Sequence, residues 1–369
     1  MDTSDPLIVF DAAGQCNHCR LYRETVFKLP RFQPGAGAAL ADMVAQTRQR
    51  AAGARYDCVI GVSGGVDSTY LAYFCKRVLG LNPLAVHMDN GWNSELAVSN
   101  IERMISELKI DLHTEVLDWR EFSSLQLAFL KASTPDSEIP TDHAISATLY
   151  RMASDKGIPT IIFGNNLVTE SVHPRSWSYG HQDWIYIKSL NKQFGTAPLR
   201  SYPHTSMWRY FRLFKLKKLN AVRLFDYIAF DRAEVEALIS RELGWRPYGA
   251  KHFESVYTKF FQGYLLPRKF GFDKRRAHMS SLICAGQMTR DDALRALQAP
   301  ALPPEEEQPM LDYVAKKLRI SRAELDAICV QPPRAYQDYP NSENSEFVKL
   351  AKRVYKMLGG GIVRDGLRL

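Results

Sequence analysis

Two hydrophobic rhythms alternate through the first half of the chain. From Tyr56 to about Glu170, short apolar runs rich in β-formers recur: Cys58-Val59-Ile60-Gly61-Val62, Leu84-Ala85-Val86-His87, Leu112-His113-Thr114-Glu115-Val116 and Thr160-Ile161-Ile162-Phe163. Between them, apolar residues return at helical spacing. The first such stretch places Leu71, Phe74, Cys75 and Val78 on one face and stops at Gly80; the next opens at Ser94 and carries Ala97, Ile101, Met104, Ile105 and Leu108. Strand alternating with helix predicts an α/β fold with a parallel sheet and right-handed crossovers. Ligands of such sheets bind beyond the carboxyl ends of the strands.

The flanks read differently. Residues 1–50 hold a short Cys-His module, and the Ala/Arg-rich stretch from Met43 to Arg55 predicts a helix. After 170 the pattern is helical and aromatic, with no clear strand run. Ala299–Pro309, with three prolines before the run Glu305-Glu306-Glu307, predicts a linker, and Ser321-Arg322-Ala323-Glu324 is a capping box. The expected division is a Cys-knuckle segment and helix (1–50), a sheet domain (51–200), a basic aromatic helical region (201–298) and a C-terminal helical extension (299–369). No internal repeat is visible.

Composition narrows the class. A chain of 369 residues with 46% hydrophobic content can bury a sizeable core, which excludes a disordered protein. No stretch approaches the roughly 18 apolar residues of a membrane span. The acidic start Met1-Asp2-Thr3-Ser4-Asp5 does not read as a signal peptide, and six cysteines are too few for a disulfide scaffold, so a reducing cytoplasm is expected. The net charge of +8 is local: residues 201–280 hold 16 Lys and Arg against 7 Asp and Glu, with 17 of the 41 aromatics. That mixture suits nucleic acid, a nucleotide or an anionic sugar, or simply a solvated basic face over an aromatic core.

The most informative string is Ser63-Gly64-Gly65-Val66-Asp67-Ser68-Thr69, between the first strand and its helix. Two glycines let backbone approach an anion, hydroxyls add donors, and the helix N-terminus adds unpaired N–H groups. It is neither a Walker A loop nor GxGxxG. The segment resembles the PP-loop of ATP pyrophosphatases, which cleave ATP between the α- and β-phosphates and adenylate an oxygen of the substrate. The resemblance implies that Ser63, Gly64, Gly65, Val66, Asp67 and Ser68 hold pyrophosphate and that Asp89, closing the second run, contacts adenosine. Gly164, Asn165 and Glu170, after the fourth run, would complete the nucleotide side, with Glu170 helping to hold Mg2+.

Further strings look like one subgroup. They are Phe10 to Cys19, Glu138-Ile139-Pro140-Thr141-Asp142-His143, Gly249-Ala250-Lys251-His252-Phe253-Glu254-Ser255, Phe270 to His278, and Gly286 to Arg290. They resemble the N-acetyl sugar amidotransferases of surface-polysaccharide synthesis (the LPS, O-antigen WbpG/PseA type) over nearly the whole length. The resemblance implies ATP-dependent conversion of an acetamido group on a nucleotide-linked sugar, expected to be a UDP-linked uronic acid, to an acetamidino group. Charge developing on the phosphates calls for cations. Lys251, Lys274 and Arg275 are the first candidates, with Lys259, Arg268 and Lys269 behind them. Asp142 and His143 would orient the acetamido group or move a proton, or else serve as a helix cap and a surface histidine. An anionic sugar nucleotide would explain the basic region without nucleic acid or membrane insertion.

No glutaminase signature is present, so the resemblance implies ammonia from a separate glutaminase with a partner barrel, resembling the two subunits of imidazole glycerol phosphate synthase. Cys16-Asn17-His18-Cys19 is a CxxC knuckle, and zinc is a candidate ligand of Cys16 and Cys19. The family normally carries a second CxxC just upstream, where Met1 stands here; the start is then either an internal methionine or that of a member without the site. Cys284 or Cys329 with His18 could complete a site. Two rivals remain: a PP-loop tRNA-modifying enzyme of the thiolase type, which pairs this loop with CxxC knuckles, and a non-enzymatic nucleic-acid-binding module.

Overall fold

The computed structural model describes residues 1–248 and 253–346. Five parallel strands form one sheet in the order β3-β2-β1-β4-β5, with β1 Cys58–Gly61, β2 Pro83–Asp89, β3 Leu112–Val116, β4 Thr160–Phe163 and β5 Asn220–Arg223. The four expected runs are the first four strands. The fifth is a correction: Asn220-Ala221-Val222-Arg223 is too short and polar to read as a strand, but it pairs in parallel with β4 from Thr160↔Asn220 to Phe163↔Arg223.

The helices, in chain order, are α1 Asn17–Val26, α2 Ala36–Arg50, α3 Val66–Tyr73, α4 Glu95–Leu108, α5 Trp119–Ala132, α6 Ile139–Asp155, α7 Leu167–Glu170, α8 Trp184–Phe194, α9 Met207–Phe211, α10 Arg232–Leu243, α11 Val256–Phe260, α12 Lys274–Cys284, α13 Arg290–Ala296, α14 Pro304–Leu318 and α15 Arg322–Val330. The stretch expected to be helical from Met43 lies in α2, which starts earlier and ends at Arg50. Ser94 and Ser321 cap α4 and α15, their hydroxyls accepting the N–H groups of Ala97 and Glu324.

Strand alternation sorts the core into two layers. Cys58, Ile60, Ala85 and Ile162 face α3, α4 and α10, while Val59, Leu84, Val86, Ile161 and Phe163 face Leu149, Tyr150 and Met152 of α6. Successive side chains of a strand point to opposite faces, which divides these continuous apolar runs between the two layers. Because β5 and α10 join this unit, the sheet layer continues past residue 200. A second core gathers α5, α8, α11, α14 and α15 around Trp92, Phe129, Tyr186, Tyr257, Phe261 and Val314.

The expected linker at 299–309 is a further correction. Pro304 opens α14, and Glu305, Glu306 and Glu307 occupy its first turn, where carboxylates complement the helix dipole. Glu306 and Glu307 also pair with Lys259 and Arg268. The three prolines that suggested a break thus lead into an ordered helix start.

Candidate active site

In the order 3-2-1-4-5 the chain winds one way from β1 and the other way to β4, so a crevice opens beyond the end of β1. The loop Ser63–Gly65 lies there and runs into α3. Gly64 has φ +79°, and a Cβ on it would stand 2.3 Å from the carbonyl oxygen of Ala97, so both backbone and space demand glycine. Its carbonyl accepts from Trp245 Nε1 at 3.0 Å and Asn100 Nδ2 at 3.4 Å. Asn100 also clamps the backbone of Arg246 through both ends of its amide, at 2.9 and 3.0 Å.

Donors converge inside this braced loop. The Ser63 N–H reaches Ser68 Oγ at 3.1 Å, the Gly65 N–H reaches Ser63 Oγ at 3.3 Å, and the Val66 N–H donates to the Tyr248 hydroxyl at 3.3 Å. Asp67 stands in the first turn of α3. A Cβ on Gly65 would meet Glu254 Oε1 at 3.0 Å and the Tyr248 oxygen at 3.1 Å, so these two side chains roof the loop. Burial, and then the charges of Glu254 and Asp67, push the Tyr248 hydroxyl well above its ordinary pKa, so it stays protonated.

The residues expected on the nucleotide side lie at or after the carboxyl ends of β2 and β4. Asp89 ends β2 and accepts from the Gly91 N–H at 2.8 Å and Asn93 Nδ2 at 3.2 Å. Gly91, at φ +79°, leaves no room for a Cβ, which would come within 2.7 Å of Trp119. Gly164, after β4, packs on α3: a Cβ there would lie 3.4 Å from Leu71 and 3.6 Å from the Asp67 carbonyl. Asn165 follows it, and Glu170 accepts from the Asn166 N–H at 3.3 Å. Residues 254–256 run along 92–94, with Ser94 N–H to Glu254 O and Val256 N–H to Trp92 O both at 2.9 Å.

Beside this crevice lies a second polar group. Glu138, just before α6, accepts from the Thr258 hydroxyl and from Gln262 Nε2 at 3.2 Å. Asp136 accepts from the Ser178 hydroxyl, and Asn90 donates to Thr141 Oγ1 at 3.3 Å, tying α6 to the end of β2. Burial raises the Glu138 carboxyl, Lys274 pulls it back down, and Asp142 and Asp136 push it up, for a net rise. Burial, and then the Lys274 charge, lower His173 from 6.5 to about 4. His173 is exposed and Glu138 is half-buried.

The sequence candidates therefore separate. Ser63 to Ser68 form the loop, Gly164 packs on α3 beside it, Asp89 ends β2, Asn165 and Glu170 follow β4, and Lys274 lies within electrostatic reach of Glu138 and His173. Lys251 lies outside the described residues. Arg275, one residue from Lys274, is a correction: its guanidinium is occupied by Asp273 at 2.7 Å and the Ala299 carbonyl at 2.9 Å. Lys259 and Arg268 are held by α14, and Lys269 donates to the Ile328 carbonyl at 2.6 Å.

His143 is corrected as well. Its Nδ1 meets the His181 carbonyl at 2.7 Å, its Nε2 accepts the Thr205 N–H at 3.1 Å, and Trp184 and Tyr202 stack on its two sides. Burial lowers it from 6.5 to about 4, so it is a neutral, fully satisfied core histidine rather than a proton carrier. Asp142 is exposed in the first turn of α6.

The knuckle does not assemble four donors. Cys16 and Cys19 Sγ are 3.5 Å apart and Cys284 comes within 3.9 Å of Cys19, but His18 turns to Asp5 at 2.7 Å. Burial, then Cys16 and Cys284, push the Cys19 thiol up to about 12. No group of three or more His, Cys, Asp or Glu side chains arranged to hold a metal is present among the described residues, so zinc is not supported.

Sequence reasoning did not single out Asp136, His173, Tyr248 or Glu138 as site residues. Glu138 and Glu254 stood inside quoted strings; Asp136, His173 and Tyr248 are loop residues with no local signal.

Known proteins add two segment matches. Residues 254–355 match the family model "LPS biosynthesis protein WbpG-like, C-terminal domain", and residues 38–134 match the model "NAD synthase". An uncharacterized protein of Methanocaldococcus jannaschii, MJ1599, is 20% identical over 253 residues, 69% of this chain and 76% of that protein. Among solved structures, an NH3-dependent NAD synthetase from Campylobacter jejuni is 16% identical, covering 81% of this chain and 98% of that one at a TM-score of 0.34. An NMN synthetase from Francisella tularensis is 14% identical, with coverages of 78% and 98% and a TM-score of 0.37. The chain thus joins an NAD synthase-type PP-loop segment to a WbpG-like C-terminal domain, which supports an ATP-dependent enzyme of amidotransferase type.

Proposed function

We propose that the chain uses ATP to activate the acetamido group of a nucleotide-linked sugar, with a UDP-linked acetamido uronic acid as the favoured substrate, and replaces its oxygen with ammonia. The observation that carries this reading is the braced loop after β1 with its converging donors, together with the polar group of Glu138, His173 and Lys274. The loop offers N–H and hydroxyl groups to phosphates, and Lys274 offers a cation to an anionic sugar nucleotide. The amide oxygen attacks the α-phosphorus, pyrophosphate leaves, and an O-adenylyl imidate remains. Ammonia adds to the imidate carbon, and AMP departs to leave the amidine.

In this scheme the N–H groups and hydroxyls of Ser63 to Ser68 take the departing pyrophosphate. Lys274 balances charge arriving between the two centres. His173, neutral at working pH, offers a hydrogen bond to the adding ammonia, Glu138 orients the acceptor, and the product keeps the proton as an amidinium. Glu170 would help to hold Mg2+, which when bound would neutralise phosphate charge, and Asp89 would contact the adenosine. Ammonia would come from a separate glutaminase with a barrel subunit.

The test measures AMP and pyrophosphate formation with a UDP-acetamido sugar and ammonium. Ser63→Ala and Asp67→Ala should abolish AMP formation; full retained activity would remove the loop from the ATP site. AMP formation driven by tRNA would favour the tRNA-modifying alternative and sink the sugar reading.

A further inference from the structure

The ten residues Met207-Trp208-Arg209-Tyr210-Phe211-Arg212-Leu213-Phe214-Lys215-Leu216 form one continuous helical rod, α9 and its extension, capped by the Ser206 hydroxyl. Its inner face is accounted for: Leu213 is buried, and Tyr210 and Phe214, 4.4 Å apart at their ring centres, pack on Tyr150 of α6. The outer face is not. Trp208 is 70% exposed, Leu216 63%, Met207 57% and Phe211 40%, with Trp208 and Phe211 stacked at 5.6 Å. Single exposed apolar residues are ordinary, but four within ten residues, two of them stacked on each other, mark an interaction surface.

The surrounding charge identifies the partner. Arg212, Lys215 and Lys218 are exposed around this face, and Arg209 is half-exposed beside it. From Ser201 to Phe225 the sequence contains no Asp or Glu. Lysine is depleted at the centre of protein–protein contacts, whereas aromatic and aliphatic anchors rimmed by Lys and Arg suit the headgroup layer of a bilayer. Nucleic acid would use the cations and the rings but has no use for Met207 and Leu216.

We infer that this face is a peripheral docking site for an anionic lipid surface, with Trp208, Phe211 and Leu216 entering the headgroup layer and Arg212, Lys215 and Lys218 meeting lipid phosphates. No helix among the described residues is long and apolar enough to cross a membrane, and the proposal requires none. It is independent of the reading of the ATP site.

Flotation of the full-length chain with two kinds of vesicle tests it: phosphatidylcholine alone, and phosphatidylcholine with about one-third phosphatidylglycerol. The chain should float with the anionic vesicles at least about tenfold more than with the neutral ones, and high salt should release it. Trp208→Ala with Leu216→Ala, and separately Lys215→Ala with Lys218→Ala, should each lower binding about tenfold. Both changes are on the surface, so melting temperature and AMP formation should stay unchanged. No preference for anionic vesicles, or equal binding by wild type and both variants, overturns the proposal. A Trp208-dependent dimer in sedimentation, or Trp208-dependent RNA binding, without vesicle binding, assigns the face elsewhere and overturns it as well.

Discussion

The loop after β1 and the basic stretch after residue 250 were both expected to handle phosphate, and they fold by different logics. In the loop, each residue's role follows from its neighbours in sequence: a strand end, two glycines and a helix start place Ser63, Gly65 and Ser68 together. In the basic stretch, the destination of each cation depends on residues far away. Glu306 and Glu307 take Lys259 and Arg268, the Ala299 and Ile328 carbonyls take Arg275 and Lys269, and Lys274 is left beside Glu138 and His173. A motif made of backbone geometry is a local property; the availability of a surface charge is a tertiary one.

The largest effect should come from the loop itself. Gly64→Ala forces a Cβ into the Ala97 carbonyl at a left-handed backbone position. It should cut AMP formation by more than about 100-fold and lower stability by about 1–3 kcal/mol, read by turnover and by urea unfolding. An alanine variant with normal turnover would show that the loop geometry is not the anion cradle.

Next in size is the contrast between neighbours. Lys274→Ala should reduce kcat for AMP formation about 100-fold, and Arg275→Ala only about twofold, with a stability loss below about 1 kcal/mol from its Asp273 pair. Equal losses of kcat would erase the distinction between the two cations.

Those two expectations rest on unequal legibility. The first four strands and the glycine loop could be read because short apolar runs rich in β-formers and a glycine-bearing turn are written in consecutive residues. β5 could not, since Asn220 and Arg223 make an edge strand that pairing with β4 defines. The linker expected at 299–309 failed because prolines at a helix start look like prolines in a break, and the carboxylates that favour α14 were counted as part of that linker. His143 looked chemical beside Asp142, yet its partners come from His181 and Thr205, which the sequence places 38 and 62 residues away. His173 and Asp136 gave no signal, because only the folded chain brings them to Lys274 and Glu138.

A third expectation concerns pH. His143 has its folded pKa lowered from 6.5 to about 4, so the unfolded chain binds the extra proton first as pH falls. Stability from this group is therefore full above about pH 6.5 and is lost as pH drops toward about 4, by on the order of 3 kcal/mol. Glu138 is shifted the other way: its raised pKa means the folded chain holds the proton longer, so its ionisation costs stability as pH rises. Urea unfolding across this range should show wild type losing stability below pH 6.5. For Glu138→Gln the advantage over wild type should appear at neutral pH and vanish in acid. A flat profile for wild type would contradict the buried neutral state of His143.

The smallest effect should come from the cations tied to α14. Lys259→Ala and Arg268→Ala should change AMP formation less than about twofold, since both cations are already paired with carboxylates of α14. A tenfold loss in either would move the phosphate site toward α14.

The central claim, that this loop activates an amide oxygen for ammonia, is tested most directly by product analysis with wild-type protein, ATP, ammonium and a UDP-linked acetamido sugar. The account predicts AMP and pyrophosphate in equal amounts, formed only when the sugar is present and matched by amidine on the sugar. ADP with phosphate, or AMP formation indifferent to the sugar, would contradict it.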